Sequence, residues 1–350
     1  MRDLQRGSGK MRKKTTTIID VARATGVSPS TVSHALSGKR VISAPVKKRI
    51  FDKIKELDYR PSFYAQALKN NATRLIGVVV NECRNPSAAT YLDCLAEKLE
   101  KFSFKPVVAI TGLNHDKGEE MLRRFSTGMV DGIINLLPQI EPEEAEHICG
   151  GVPVVTNLRE PAFPVHLDYN QLTRDILGYL WGRGHREIGY ITSQTRMVGR
   201  VDTSIAVMRK FLEEYGAEFD PGLVMIGDDA IDTGISAMET IYNHRKVTAV
   251  FTGNDQMAFG VYRWAYEHGL SIPGDLSVIG YDDVPQAATI IPPLTTARFP
   301  LDTVVEHMVN LLIAKLEKRP LPTGAIDLKV QMVIRKSVSD RNQKKQGETL

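Results

Sequence analysis

Between Thr17 and Leu36 two short helical patterns meet at a two-residue turn, Gly26 and Val27, and this constrains the fold of the chain more than any other stretch. Thr17 can cap a helix that starts at Ile18, and Asp20 stands at the third helical position, where its carboxylate reaches back to complete a capping box. Gly26 supplies the left-handed stop. Ser28 caps the second segment, and Pro29 takes its first turn, where a missing N–H costs nothing. Val21, Ala22, Val27, Val32 and Leu36 fall on inward faces, which leaves Ser30, Ser33 and His34 facing outward. A small, polar, uncharged face suits a major groove, where short donors and acceptors meet base edges. The pattern predicts a helix-turn-helix.

A third amphipathic helix is predicted from Ser43 to Leu57, with Val46, Ile50, Ile54 and Leu57 as its apolar stripe and five Lys/Arg among them. One more short helical run, Ser62 to Lys69, precedes the polar segment Asn70 to Thr73. Residues 1–72 hold 16 Lys/Arg against 5 Asp/Glu, a net of +11, which leaves −7 for the rest of a chain whose total is +4. A basic end on an acidic body is the footprint of a polyanion binder. Residues 1–14 are basic, polar and aperiodic and are expected to form a disordered leader.

From Leu75 onward apolar strands alternate with amphipathic helices. The first predicted strands are Leu75–Val80, Pro106–Ile110, Gly132–Leu137 and Pro153–Thr156; a second series is Ile188–Thr192, Ala249–Thr252 and Leu276–Tyr281. Helical stretches fall at Ala89–Phe102, Gly118–Phe125, Gln171–Arg183, Ile205–Tyr215 and Asp255–His268. Continuous apolar strands alternating with helices imply parallel sheets covered on both faces, and two series imply two doubly wound lobes. Ligands of such sheets bind at the carboxyl ends of strands, so two facing lobes enclose a cleft. Cys83, Cys94 and Cys149 are odd in number, have no C-x-x-C spacing and are expected to be reduced thiols. No stretch is apolar enough to span a membrane and no signal-peptide core is present, so a cytoplasmic protein is expected. The acid pairs Asp228–Asp229 and Asp282–Asp283 raise a carbohydrate-processing enzyme as an alternative, but no nucleophile elbow, zinc motif or phosphate loop accompanies them. An architectural DNA-binding protein without effector control is the other alternative. No cofactor or metal site is expected.

The order of these segments resembles the LacI/GalR family of bacterial transcription regulators, over roughly Thr16 to Ser337. Asn85-Pro86, Val130 to Ile134, Gly184 to Gly189, Asn254 to Ala258, Gly280 to Asp283 and Pro292 to Thr296 carry the resemblance in the body. It implies an α/β protein with an N-terminal all-α helix-turn-helix headpiece, followed by a two-lobed, doubly wound core like that of periplasmic binding proteins. The implied division is a headpiece at 15–60, a hinge helix and linker at 61–73, a core at 74–340 and a tail at 341–350. Three chain crossings would place lobe 1 at about 74–166 and 298–328, and lobe 2 at about 167–297 and 329–340.

The resemblance also implies how DNA is read. Pro29, Ser30 and His34 match base-reading places, and Thr17, Ser28, Thr31, Ser33, Ser43 and Lys47 are candidate partners of the DNA. Many members carry Arg where His34 stands; histidine lacks the bidentate fork that makes Arg discriminating. Leu68 matches the leucine that opens the central base step of an operator, with Ala65 facing the same way and Lys69 beside the step. Two hinge helices meeting at one step imply a homodimer on a palindromic operator in double-stranded DNA, and the tail lacks the leucine heptad that makes tetramers.

A small-molecule effector, carbohydrate-like by resemblance, is expected in the cleft. Asn254 and Asp282 match effector-binding places, and Ser87, Arg200, Ser204 and Asp229 complete the candidate set. Several of these depart from the family pattern. Ser87 and Ala88 replace an aromatic pair, Ser204 an arginine, and Asp229 an aromatic platform; Leu158 stands for an aspartate, with Arg159 next. Less stacking surface and less positive charge disfavour a phosphorylated or carboxylate effector unless Arg159, Arg196 or Arg200 enters the site. Whether the effector induces or co-represses stays open.

Overall fold

The computed structural model describes residues 16–38, 40–60, 67, 72–157, 165–193, 200–321 and 324–342; the side chains of 193 and 200–202 are also outside the description. The chain divides into two units, the first ending at Thr73 and the second beginning at Arg74.

In the first unit α1 (Ile18–Thr25), α2 (Pro29–Ser37) and α3 (Ala44–Glu56) close on one small core. The Thr17 hydroxyl accepts from Asp20 N, and the Asp20 carboxylate accepts from Thr17 N at 3.0 Å, so the capping box is complete. Gly26 ends α1 at φ 65° and donates back to the Ala22 and Arg23 carbonyls. Ser28 accepts from Thr31 N at 3.1 Å, with Pro29 at the first helical position. Val21, Val32 and Ile50 are wholly buried, beside Ala22, Ala35 and Tyr59. A unit with so few buried side chains has little reserve.

The second unit holds two lobes. In the first lobe β1 (Leu75–Val80) is flanked by β2 (Lys105–Ile110) and β3 (Gly132–Asn135), with β4 (Val154–Thr156) beyond, all parallel in the order β2-β1-β3-β4. The pleat sends alternate residues of β1 to opposite layers. Ile76, Val78 and Val80 meet α4 (Pro86–Glu100) and α11 (Leu301–Leu316) through Leu95, Leu99, Val305 and Leu312. Val79 meets α5 (His115–Phe125) and α6 (Pro142–Cys149) through Leu122, Phe125 and Ala145. At Gly77 an added Cβ would lie 2.4 Å from the Phe125 ring, so only glycine lets that ring lie on the strand.

The second lobe is a six-stranded sheet in the order β12-β10-β9-β8-β6-β7. Its strands are β6 (Ile188–Ser193), β7 (Val224–Gly227), β8 (Ala249–Thr252), β9 (Ser277–Asp282), β10 (Thr295–Arg298) and β12 (Gln331–Val333), and β12 is antiparallel to β10. One face packs on α7 (Tyr169–Gly182) and α8 (Arg200–Glu214) through Leu177, Met208 and Phe211; the other packs on α9 (Ile231–His244) and α10 (Asp255–Glu267) through Met238, Ile241 and Trp264. A separate parallel pair joins β5 (Val165–Leu167) to β11 (Ile326–Leu328). The chain thus passes between lobes three times: after β4, between β10 and α11, and before β12.

β1 and β8 coincide with the strands read from the sequence, whereas β5, β7, β10, β11 and β12 have no counterpart there. The reason is plain at β10. Thr295 and Thr296 are completely buried but polar, and they are satisfied by hydrogen bonds to Ser337, Arg335 and Asp255 rather than by apolar neighbours. A buried strand of that kind shows no apolar run.

Candidate DNA-reading face and effector cavity

On the first unit Thr17, Ser28, Pro29, Ser30, Ser43 and Lys47 are exposed, and Thr31, Ser33 and His34 are half-buried. The Ser28 hydroxyl lies 2.7 Å from that of Ser30 and 2.8 Å from that of Thr31, so three hydroxyls form one cluster at the start of α2. Ser43 begins α3 without a side-chain cap bond, leaving the free N–H groups of that helix start without a capping side chain. His34 Nδ1 is enclosed and has no hydrogen-bond partner among the described residues. That leaves Nε2 as the nitrogen available for one directional contact. Ala65, Leu68 and Lys69 lie outside the described residues.

The second unit encloses a cavity of about 350 Å³, within the range of small-molecule sites. Its wall is built at the carboxyl ends of parallel strands from both lobes. Asn81 and Glu82 follow β1, Asn157 follows β4, Gly253 follows β8, and Tyr281 and Asp282 end β9. The first turns of α4 and α7 add hydroxyls and rings. Among the described residues six aromatics line it: Tyr91, Tyr169, Tyr190, Phe251, Tyr281 and Phe299. Tyr190 stacks on Phe251 at 4.2 Å, and the Tyr281 hydroxyl donates to that of Tyr169 at 3.3 Å. The expected loss of stacking surface is thereby corrected. Ser87 and Ala88 do occupy the places after Asn85-Pro86, but rings from other elements supply the apolar wall.

Three carboxylates reach the wall, from Glu82, Asp282 and Asp283, and no Lys or Arg does so among the described residues. Asp283 is held by Arg298 Nε and Arg335 Nη2, each at 2.6 Å, and its side chain is 6% exposed. Asp282 and Asp283 have positive φ, 110° and 58°. Such conformations cost energy in residues other than glycine and persist where neighbours enforce them.

Of the sequence candidates, Ser87, Ser204 and Asp282 meet at this cavity. Ser87 donates its hydroxyl to Asn85 Oδ1 at 3.0 Å, and Ser204 is hydrogen-bonded to Tyr190. Arg200 opens α8, and its side chain lies outside the description. Asn254 and Asp229 are not among the residues that line the cavity. Asn254 is fully buried; its Oδ1 accepts from Met257 N at 2.7 Å, capping α10, and its Nδ2 donates to the Asp229 carboxylate at 2.8 Å. Both ends of the amide are consumed. An Asn one residue before a helix is a cap by physical preference, and that signal was present in the sequence. Tyr169, Tyr190, Phe251 and Phe299 were missed because each reads equally well as ordinary core.

Residues 17–62 match the bacterial regulatory proteins of the lacI family, and residues 177–338 match the periplasmic binding protein-like domain. The ribose operon repressor of Escherichia coli (strain K12) is 33% identical over 89% of this chain and 96% of its own length. Among solved structures, the lac repressor dimer bound to operator and the anti-inducer ONPF is 25% identical, with a TM-score of 0.78 over 93% of this chain and 100% of that one. The complex of the transcriptional regulator CelR with cellobiose is 26% identical, with a TM-score of 0.67 over 92% and 99%. No helix among the described residues is long and apolar enough to cross a membrane. Its capped helix-turn-helix, its two-lobed cavity and its likeness to a repressor along nearly the whole length agree: the chain belongs to the lacI family of bacterial regulatory proteins, and it is a DNA-binding transcription regulator rather than an enzyme.

Proposed function

We propose that this regulator is a cytoplasmic repressor that binds a palindromic operator as a homodimer and is controlled by an uncharged, polyhydroxylated effector in the interlobe cavity. The observation that carries the effector reading is the wall itself: six rings, several hydroxyls and three carboxylates, with no Lys or Arg among the described lining residues. Rings cover the apolar face of a sugar, while Asp282 and the Ser87 and Ser204 hydroxyls meet its hydroxyl groups. Arg200 is the remaining member of the proposed set. A phosphate or carboxylate would face Glu82 and Asp282 at close range, which disfavours such ligands.

On DNA, Ser30 and Nε2 of His34 face base edges, Pro29 offers an apolar contact, and Thr17, Ser28, Thr31, Ser33, Ser43 and Lys47 hold the backbone. A single nitrogen discriminates less than an Arg fork, so phosphate contacts carry much of the affinity. Leu68, flanked by Ala65 and Lys69, is assigned the wedge between base steps. A ligand spanning both lobes changes their relative orientation and, in a dimer, the spacing of the two 61–73 segments.

The test is thermal unfolding of the purified protein with D-ribose, cellobiose, other neutral sugars and sugar phosphates. A ligand at about 100 times its Kd adds roughly 2.7 kcal/mol, readily seen as a raised Tm. Stabilisation by a neutral sugar and not by its phosphate is expected. Stabilisation by the phosphates alone would overturn this view of the cavity.

A further inference from the structure

Asp255 opens α10 and is completely buried. One carboxylate oxygen accepts from the Thr296 hydroxyl at 2.6 Å and the other from the Val284 N–H at 2.9 Å. Val284 closes the turn that carries Asp282 and Asp283 at positive φ, and Asp282 faces the cavity. A Cβ on Gly280 would lie 2.1 Å from Asp255 Oδ1, so the carboxyl rests directly on β9. Thus one buried acid is bonded to the end of a strained turn, to β10 through Thr296, and is in close contact with the strand that delivers Asp282.

The charged and titratable groups around it are few. Asp282 and Asp283 repel the carboxylate from the end of β9, while Arg298 on β10 and Arg335 after β12 are engaged by Asp283. On its own helix it interacts with Tyr262, whose hydroxyl donates to the Pro292 carbonyl. Burial pushes the Asp255 carboxyl up to about 7, with Asp282 and Asp283 adding to the rise and the Thr296 and Val284 bonds opposing it. An acid whose folded pKa is raised stabilises the fold below its unfolded range and loses that contribution as pH rises through about 7. Ionised Asp255 is therefore a cost to folding, and stability alone does not account for an acid at this place.

We propose that Asp255 is a positioning residue for the effector: its carboxylate clamps the Asp282–Val284 turn in the ligand-ready geometry, and protonation loosens the clamp, so effector affinity falls as the medium acidifies. This rests on the cavity being the effector site. Protonated, the group can keep Thr296 by donating to its oxygen, but it offers Val284 only a neutral acceptor, about half as strong as the ionised one. The Val284 amide is the reporter of the clamp.

Hydrogen exchange of the peptide containing Val284, corrected for intrinsic rates, is compared between wild type and Asp255→Asn at about pH 6 and about pH 8. Binding of D-ribose and of cellobiose is measured in parallel. In wild type, protection is expected to be about fivefold higher at the upper pH, with a similar gain in affinity for whichever sugar binds. The Asn variant should be flat in both readouts, at the lower level, while unfolding at about pH 8 at a temperature no lower than wild type. That combination separates positioning from a merely structural role. Wild-type protection that is flat with pH overturns the proposal, as does an Asn variant that keeps the wild-type slope. If neither sugar binds, the choice of effector fails, yet the exchange data still decide the clamp. If the variant does not fold, the wild-type profile decides alone.

Discussion

His185 and Asn254 spend all their polar atoms inside the fold, whereas His34 buries Nδ1 without a partner among the described residues. His185 is wholly buried. Its Nε2 must carry the hydrogen, since it faces the Ser339 carbonyl at 3.2 Å, and its Nδ1 then accepts from the Thr248 hydroxyl at 2.9 Å. Burial holds its pKa down to about 4, helped by Arg341, Arg183 and Arg186, against the Ser339 bond. The native state thus binds fewer protons than the unfolded chain, and stability is present above the ordinary 6.5 and lost as pH falls toward about 4. The expected loss is on the order of 2–3 kcal/mol, and urea unfolding of His185→Gln should lack it. A variant with the wild-type acid slope would assign that slope to other groups. Asn254 is engaged by the start of its own helix. Its type and place suited a ligand contact, but the need of a helix start for an acceptor took the side chain first.

At the scale of elements, legibility followed apolar patterning. β1 carries Leu75, Ile76 and three valines in a row, and β8 packs Val250 and Phe251 into opposite layers, so both are visible as runs. β10 is not, because its threonines are buried by hydrogen bonds supplied from residues about 40 positions away. The α9–α10 crossing was equally invisible. A Cβ on Gly234 would lie 2.0 Å from the Met257 carbonyl oxygen, and one on Gly260 would lie 2.1 Å from that of Ile231, so two glycines set how closely those helices pack. In the headpiece the opposite held: both caps of α1 and the N-cap of α2 were readable, since cap chemistry is local in sequence. The 61–73 segment rests on resemblance, and its prediction belongs at this scale. Leu68→Ala should keep nonspecific DNA binding while losing operator bending, measured by the circular-permutation mobility of bound fragments. An unchanged bend would remove Leu68 from the wedge position.

For the whole molecule, the sequence showed a basic end, an acidic body and two lobes, and from these the class of protein followed. The cavity was far less legible, because its wall draws Tyr91, Tyr169, Phe251 and Phe299 from both lobes, and no local pattern links them. In the proposed function this cavity and the headpiece are energetically coupled. Coupling between two sites is reciprocal in free energy, so it has one decisive measurement. Operator affinity is determined by fluorescence anisotropy with and without the sugar that stabilises the protein, and sugar affinity with and without operator, at one fixed salt concentration. Both affinities are expected to change, by the same factor and in the same direction. A sugar that binds in the cavity yet leaves operator affinity untouched would contradict that coupling.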